Sequence, residues 1–294
     1  MESGQQTTQK PPAGNLDDLR AGLHGMWGAV APGWKENADF VDGRGTDLTA
    51  AMLDAVSLTS GARVLELACG PGGTGIAAAE LVGPSGEVVL SDVAPEMTAI
   101  AIERARDRGL ANVTGLELDL ERIDQPDASY DAVLCREGLM LVPEPARAAY
   151  EIRRVLRPGG RASVSVWGSR EQNPWLGAML DAIGGELGGT FPPPGVPGPL
   201  SLGERGKLLA AISDGGFTDV EVTEVEVPWR GADFDEWWRR TTALAGPVAK
   251  LLEAQPAETV EEIQATARRA LERYETADGL EIPGVTLVGS ARRD

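Results

Sequence analysis

The sequence predicts an α/β protein whose core is a doubly wound, mostly parallel β-sheet of seven strands. From residue 61 onward, short apolar runs typical of buried strands alternate with stretches of helical periodicity. A glycine-rich segment, residues 70–75, follows the first of these runs and precedes a helix. Asp92 ends the next apolar run, about 20 residues further on. Together these features predict a ligand site at one edge of the sheet.

The N-terminal part of the chain precedes this alternation. Residues 1–15 have the polar, Pro- and Gly-containing composition of a disordered tail. Residues 16–56 show a helical pattern, which we expect to break at Ala31-Pro32-Gly33 because proline and glycine both disfavour a helix interior. His24, the only histidine, lies in this part. A lone histidine is usually an ordinary surface or hydrogen-bonded residue.

The glycine-rich segment opens the first βα unit. Its glycines stand at the G-x-G-x-x-G spacing (70, 72 and 75), which lets the backbone turn sharply and approach a ligand. Five strands are predicted, at residues 63–68, 87–92, 113–119, 132–135 and 161–167. The helices between them are predicted at residues 76–82, 95–108 and 146–156. Residues 66–72, 92, 119 and 135–137 then share the carboxyl edge of the sheet.

The last third of the chain is less regular. Residues 192–199 are rich in proline and predict a stiff loop. A short helix is expected at 208–213, a sixth strand at 219–229 and the last strand at 285–291. Between these two strands the pattern is helical. Asp233 with Glu236, and Thr259 with Glu262, have the spacing of capping boxes.

The charge around the glycine-rich segment distinguishes two kinds of adenosine cofactor. A dinucleotide brings an anionic pyrophosphate to the helix N-terminus, but Glu66 would place a carboxylate there and Pro71 removes an N–H donor. S-Adenosylmethionine has no phosphate and carries a sulfonium and an ammonium group, which a carboxylate attracts. This contrast favours S-adenosylmethionine, although the glycine spacing alone leaves an NAD-dependent dehydrogenase open.

Five motifs at ordered spacing make residues 60–168 resemble the class I S-adenosylmethionine-dependent methyltransferases. They are ELACGPGGTG (66–75), SDVAPEM (91–97), LDL (118–120), YDAVLCREG (130–138) and IRRVLRPGG (152–160). They are most similar to the small-molecule branch that includes the quinone-biosynthesis C-methyltransferases. One departure is Ala68, where many members carry glycine. The resemblance implies a single Rossmann-like domain over 16–294, with its cofactor core at about 57–168. Helical lid segments are expected at about 16–56, 169–206 and 231–280.

The resemblance also implies roles for individual residues. Asp92 is expected to accept hydrogen bonds from the ribose, and Glu66 to face the methionine end of the cofactor; the alternatives are a helix N-cap for Asp92 and an acid that only orients the loop for Glu66. The remaining expected contacts to the cofactor are Ala68, Gly70 and Gly72 as a cradle, Val93 and Met97 at the adenine, Asp119 and Leu120 at its amino group, and Arg136. Tight turns, core packing and a solvated strand end are the plainer explanations. Glu137 and His24 are the candidate catalytic residues, orienting or deprotonating an acceptor.

Composition restricts the partners. The chain has 294 residues and a net charge of −18, a field that repels phosphate backbones and disfavours a nucleic-acid substrate. Two cysteines provide no disulfide framework and are typical of a reducing cytoplasm. We expect a cytoplasmic enzyme with no metal, no signal peptide and no membrane contact, and a homodimer stays open.

The seven tryptophans are the residues from which we infer the kind of acceptor. All of them lie outside residues 61–166, and thus outside most of the stretch that resembles the cofactor-binding core. They predict a pocket for a flat or apolar molecule, or else the core of the lid. We therefore expect methyl transfer to an O, N or C atom of an apolar or aromatic small molecule, as in quinone or secondary-metabolite biosynthesis. Two alternatives remain: a cyclase that binds S-adenosylmethionine without methylating, and a non-catalytic binding module.

Overall fold

The computed structural model describes residues 14–193 and 196–294, and within these ranges it does not describe the side chains of residues 14–21, 23, 24 and 247. Of the predicted disordered tail, residues 1–13 lie outside the described part, and residues 14 and 15 begin the first helix.

Ten strands are described, in two sheets. In chain order they are β1 (Arg63–Leu67), β2 (Glu87–Asp92), β3 (Val113–Glu117), β4 (Tyr130–Arg136), β5 (Leu156–Trp167), β6 (Thr218–Glu226), β7 (Trp229–Gly231), β8 (Glu275–Thr276), β9 (Gly279–Ile282) and β10 (Val285–Arg292). The large sheet has the order β3-β2-β1-β4-β5-β10-β6. Its first five strands are parallel, and β10 is antiparallel to both β5 and β6. The predicted seven-stranded, mostly parallel sheet is therefore confirmed.

Eleven α-helices surround the sheets in the described part of the chain. They are α1 (Gly14–Glu36), α2 (Ala38–Arg44), α3 (Thr46–Val56), α4 (Gly73–Val82), α5 (Pro95–Asp107), α6 (Pro145–Val155), α7 (Pro174–Leu187), α8 (Arg205–Asp214), α9 (Phe234–Leu244), α10 (Gly246–Glu253) and α11 (Ala257–Leu271). No helix within residues 14–193 and 196–294 combines the length and the apolar character needed to cross a bilayer.

The first helix differs from the prediction. The expected break at Ala31-Pro32-Gly33 is wrong, since α1 continues through Pro32 and ends at Glu36. A proline inside a helix costs about 3 kcal/mol, so tertiary packing must offset it. Trp27 and Trp34 pack with Val30, Ala31 and residues of α5 in a small apolar cluster, which holds the helix in place.

The C-terminal part also departs from expectation. The predicted sixth strand, 219–229, is two strands: Pro228 separates β6 from β7, because a proline cannot donate to a sheet. β7, β9 and β8 form a small antiparallel sheet, so the segment expected to be a helical lid is part helix and part sheet. The Asp233 cap is confirmed, because its Oδ1 accepts from the Glu236 amide at 2.8 Å. Thr259 is no cap, since α11 already begins at Ala257, after Pro256.

In the described part of the chain, three large apolar cores result from this arrangement, one of them between the large sheet and α3, α4 and α5. Another lies between the large sheet, α6 and α8, and contains buried side chains of β1, β4, β5 and β10. The third contains Trp175, Trp229, Phe234 and Trp237, and it joins α7, α9, α10 and α11 to the small sheet. The small sheet and its helices thus form a second layer with its own core.

Candidate active site

A cavity of about 640 Å³ opens at the carboxyl ends of the parallel strands. The loops after β1, β2 and β4 form its floor, and residues of α1, α2, α7, α9 and α10 form its walls. This is the edge where open α/β sheets bind ligands, since the strand order reverses beside β1.

Most of the predicted site residues meet at this cavity. Those that line it are Ala68, Gly70, Asp92, Val93, Met97, Asp119, Leu120, Arg136 and Glu137. Glu66 and Gly72 are not among the lining residues. His24 lies on α1, but its side chain is outside the described part of the chain.

The glycines of the loop after β1 serve different purposes. Gly70 has φ +50 and lines the cavity. Gly72 has φ +84, and a Cβ there would lie 2.7 Å from Ala101 Cβ, so it is needed for packing on α5. At Gly75 a Cβ would lie 2.2 Å from Leu90 Cδ2. Ala68 also takes a left-handed conformation, φ +49, which costs a residue with a side chain about 1–2 kcal/mol.

Glu66 lies behind the glycine-rich loop. Its side chain is 1 % exposed, and Oε2 accepts a hydrogen bond from the Gly75 amide at 2.9 Å, in the first turn of α4. Burial raises the pKa of this carboxyl to about 8, although the charge of Arg136 and the Gly75 amide lower it. The contact to Gly75 is the one expected of an acid that orients the loop.

Asp92 ends β2 and lies against the same loop. Its two carboxylate oxygens accept hydrogen bonds at 3.0 Å, Oδ2 from the Gly70 amide and Oδ1 from the Ala94 amide. The carboxylate therefore joins the glycine-rich loop to the start of α5 while it borders the cavity. The alternative role as the N-cap of α5 is wrong, since Ala94 is the N-cap and the helix has no side-chain cap bond; the position beside the cavity is compatible with the predicted role at a ligand.

The loop after β3 contributes a second acid. β3 ends at Glu117 rather than at Asp119, so Asp119 lies in the loop, where its Oδ1 accepts from the Glu121 amide at 2.8 Å. Leu120 is buried beside it and also lines the cavity. Asp92 and Asp119 thus border the same end of the cavity.

A chain of ionic contacts connects α2 to the cavity floor. Arg136 Nη2 lies 3.6 Å from Asp42 Oδ1, and Arg104 Nη2 lies 2.6 Å from Asp42 Oδ2. Arg104 Nη1 also donates to the carbonyl of Pro71 at 2.7 Å. Asp42 and Arg104 were not identified from the sequence, because no motif marks contacts between residues so far apart in the chain.

Glu137 lies in a constrained position directly after β4. Its φ is +60, which is rare for a residue with a side chain. Its amide donates to the Ser165 carbonyl at 3.0 Å, and Oε1 accepts from Thr286 Oγ1 at 3.3 Å. Oε2 is buried without a hydrogen-bond partner in the described part of the chain. Burial raises the pKa of the carboxyl to about 7, against the lowering effect of the positively charged Arg136 and Arg44.

Arg44, like Asp42 and Arg104, was not identified from the sequence. Its guanidinium lies over the rings of Trp175 and Trp167, 4.0 and 4.9 Å from their centroids. It donates to the carbonyls of Val227 and Pro228 at 3.1 and 3.2 Å. Burial lowers its pKa to about 9, and the charge of Glu137 opposes that effect. Arg44 therefore places a positive charge in an otherwise apolar wall.

The tryptophans divide between the two roles considered for them. Those that line the cavity are Trp27, Trp34, Trp167, Trp175 and Trp229. Trp237 and Trp238 do not line it and belong to the core of the second layer, where Trp237 Nε1 donates to the Trp175 carbonyl at 3.1 Å; Trp175 and Trp229 belong to both the cavity wall and this core. The aromatic wall of the cavity is thus backed by a packed layer.

Comparison with known proteins agrees with this geometry. The family described as "Methyltransferase domain" matches residues 58–182, which include the glycine-rich loop, Asp92, Asp119 and Glu137. Residues 58–182 belong to the class I S-adenosylmethionine-dependent methyltransferases.

Part of the chain is also similar to curated relatives. The ubiquinone/menaquinone biosynthesis C-methyltransferase UbiE of Azotobacter vinelandii is 38% identical over 123 residues, 42% of this chain and 48% of the relative. The chain therefore spans about half the length of the curated relatives it matches.

Solved structures extend the likeness beyond the core, but at the level of fold alone. YcgJ of Bacillus subtilis is 20% identical with a TM-score of 0.58, covering 84% of this chain and 98% of its own. The [4+2]-cyclase SpnF is 24% identical with a TM-score of 0.52, covering 84% of this chain and 80% of its own. The fold shared with these structures thus covers more of this chain than residues 58–182.

Proposed function

We propose that the protein transfers a methyl group from S-adenosylmethionine to an O, N or C atom of a flat, apolar small molecule. The observation that carries this proposal is the continuity of the cavity. One end is bordered by Asp92, Asp119 and the glycine-rich loop, the other by Trp167, Trp175 and Trp229, and Glu137 lies among the lining residues. A biosynthetic role resembling that of the quinone C-methyltransferases is part of the proposal and rests on the match of the core.

The residues present fit this cofactor better than they fit a dinucleotide. A pyrophosphate needs free N–H groups in the glycine-rich loop. The amides of Gly70, Gly72 and Gly75 already donate to Asp92, Cys69 and Glu66, and Pro71 has no N–H. The loop is therefore a poor phosphate site, whereas the neighbouring carboxylates suit ribose hydroxyls and a cationic ligand.

The roles of the cofactor-binding residues follow from their positions. When bound, S-adenosylmethionine supplies an electrophilic methyl group on a positively charged sulfur. Asp92 accepts from the ribose, Val93 and Met97 contact the adenine, and Asp119 with Leu120 lies at its amino group. Arg136, held by Asp42 and by Thr49 Oγ1 at 3.3 Å, attracts the carboxylate of the methionine part.

Glu137 is the residue best placed to take a proton from the acceptor. Its Oε2 has no hydrogen-bond partner among the described residues, and its hydrogen bonds to Thr286 and Ser165 fix the carboxylate through the other oxygen. A carboxyl whose pKa is near 7 can accept a proton at neutral pH and release it again. The tryptophan wall orients the acceptor and excludes water. We assign this role to Glu137 rather than to His24.

Calorimetric titration of the purified protein with S-adenosylmethionine, S-adenosylhomocysteine and NAD tests the proposal. We expect binding of the first two and none of NAD. Asp92→Ala removes the carboxylate that holds Gly70 and borders the ribose site, and should weaken binding at least tenfold. Asp107→Ala, at the end of α5, is the matched control and should bind normally. Binding of NAD alone, or equal binding by both variants, would refute the cofactor assignment.

A further inference from the structure

One arginine in the wall of the cavity has no acid in contact with it. The two arginines that line the cavity are Arg44 and Arg136. Arg136 lies 3.6 Å from an oxygen of Asp42, whereas Arg44 forms no ion pair with any described residue. Glu137 is the acid whose charge acts on Arg44, and it does so from beyond ion-pair distance. The positive charge of Arg44 is therefore left without a neighbouring negative charge.

Hydrogen bonds account for only part of the Arg44 guanidinium. Nε donates to the Pro228 carbonyl at 3.2 Å, and Nη2 donates to the Val227 carbonyl at 3.1 Å. Nη1 donates to no residue in the described part of the chain. It is also not one of the buried side-chain atoms that lack a partner, so it keeps accessible surface. The N–H donors of Nη1 are therefore available to a ligand.

The accessible surface of Arg44 faces the cavity rather than the outside of the protein. Burial is the largest cause of the lowering of its pKa, because the guanidinium lies deep among protein atoms. The residue is nevertheless only half-buried in terms of accessible surface. Trp167, Trp175 and Val227, which surround the guanidinium, line the cavity together with Arg44. A ligand in the cavity can therefore reach the guanidinium.

The contacts of Arg44 within the protein do not balance its charge. The two carbonyl contacts join α2 to the segment between β6 and β7, and neither carbonyl is ionised. The aromatic faces of Trp175 and Trp167 attract the cation, but the pKa of Arg44 is still lowered to about 9, so they offset only part of the cost of burial. A negative charge at Nη1 would offset the rest, and the apolar wall would strengthen that attraction.

We propose that Arg44 determines the class of acceptor, and that the acceptor is a flat aromatic molecule that binds as an anion, with an ionised phenol or carboxyl oxygen at Arg44 Nη1. The aromatic part of the molecule packs on the tryptophan rings that also contact the guanidinium. This inference rests on the proposed function, because it identifies the class of molecule that occupies the acceptor part of the same cavity. An uncharged molecule of the same shape leaves the guanidinium without a counter-charge and binds less tightly.

Lys250 provides a control for the effect of charge alone. It also lines the cavity, from α10, but it is exposed to solvent. Water already solvates its charge, so a bound anion gains little from it. The net charge of −18 repels anions from the protein as a whole. A preference for anionic ligands therefore requires a local cation such as Arg44.

Binding of matched probes tests the inference without any need for turnover. One pair is 2-naphthoate and its neutral amide, 2-naphthamide; the other is the anion of 2,4-dinitro-1-naphthol and its methyl ether. Calorimetric titrations with and without S-adenosylhomocysteine give Kd at about pH 6, where both acids are ionised and Glu137 is largely protonated. In the wild-type protein at least one anion should bind about 10-fold more tightly than its neutral counterpart. The pair that shows the preference tells a carboxylate from a phenolate.

Two variants identify the cation responsible. Arg44→Gln removes the charge but keeps an amide that can donate to a carbonyl, and it should abolish the preference for the anion. Lys250→Gln changes the net charge by the same amount and should keep the wild-type preference. A preference that persists in Arg44→Gln, or that is lost in Lys250→Gln, would overturn the inference. Equal binding of anionic and neutral probes by the wild type would overturn it as well, whether or not Arg44→Gln folds.

Titration with S-adenosylhomocysteine separates this inference from the proposed function. If the wild-type protein fails to bind S-adenosylhomocysteine, the proposed function itself is wrong. If it binds S-adenosylhomocysteine but shows no preference for either anion, only the role of Arg44 is wrong. If Arg44→Gln has a lower melting temperature but keeps the preference, Arg44 is a structural residue that joins α2 to the segment between β6 and β7.

Discussion

The buried carboxyl of Glu66 gives the sharpest test of the reasoning about this site. Its pKa is raised from 4.5 to about 8, chiefly by burial. The folded protein therefore binds a proton here that the unfolded chain has already lost above pH 4.5. Stability from this group is complete below about pH 4.5 and is lost as the pH rises towards 8. Each pH unit in that window corresponds to about 1.4 kcal/mol, so the whole effect is about 5 kcal/mol at most.

Glu66→Gln removes the titration while keeping an oxygen that can accept from the Gly75 amide. The free energy of unfolding, measured with urea between pH 4.5 and 8.5, should fall more steeply in the wild type than in the variant. The two should be similar near pH 4.5, and the variant should be more stable near pH 8. The pKa of Glu137 is also raised, so this residue lowers the free energy of unfolding as the pH rises, and it does so equally in both proteins. The difference between the two pH profiles therefore reports on Glu66 alone.

Glu117→Gln, at the exposed end of β3, is the matched control, because it changes the same group at a solvated position of the sheet. Parallel profiles for the wild type and Glu66→Gln, with the variant less stable at every pH, would refute the reasoning. That result would mean that Glu66 is ionised in the folded protein and paired with Arg136.

Two further results are expected. Gly75→Ala should lower the free energy of unfolding by about 1–3 kcal/mol in urea titrations, because the added Cβ would meet Leu90 at 2.2 Å and the Glu66 carboxylate at 2.5 Å. Gly185→Ala is the control on α7 and should be neutral or stabilising, since nothing is found within 4 Å of its Cβ position. Equal losses of stability in the two variants would contradict the packing argument. For an identified acceptor, kcat/KM should rise with pH through about 7 as Glu137 loses its proton. Glu137→Gln should lower kcat about 10²- to 10⁴-fold and remove that rise. If the variant keeps the wild-type pH profile, Glu137 is not the proton acceptor.

The core of the fold could be read from the sequence because its signals are local. β2 has the predicted bounds, 87–92, since a continuous apolar run typical of a buried parallel strand lies between Glu87 and Asp92. The loop after β1 follows in the same way, because its glycines must adopt φ values or close contacts that other residues resist. Asp92 and Asp119 reach one edge for a topological reason: parallel strands bring their carboxyl ends together.

Long-range packing decided the features that the sequence did not predict. α1 continues through Pro32 because Trp27 and Trp34 pack against α5, which outweighs the local preference against proline. Glu66 lies behind the loop rather than in the cavity because alternate side chains of a strand point to opposite faces. Its position changes the argument about charge, since burial favours the neutral carboxyl. The loop is a poor phosphate site for a different reason, because its amides already donate hydrogen bonds within the protein.

The sequence by itself determined that a doubly wound sheet holds a glycine-rich loop and two acids at one edge. These features depend on residue type and spacing within short segments. Only the tertiary structure decided what faces them. Arg44 meets Trp175 across 131 positions of the chain, and α9 lies along the cavity although its capping box marks only where the helix begins. Such contacts form because burial of apolar surface brings distant segments together, and the spacing of residues in the sequence does not predict which segments meet.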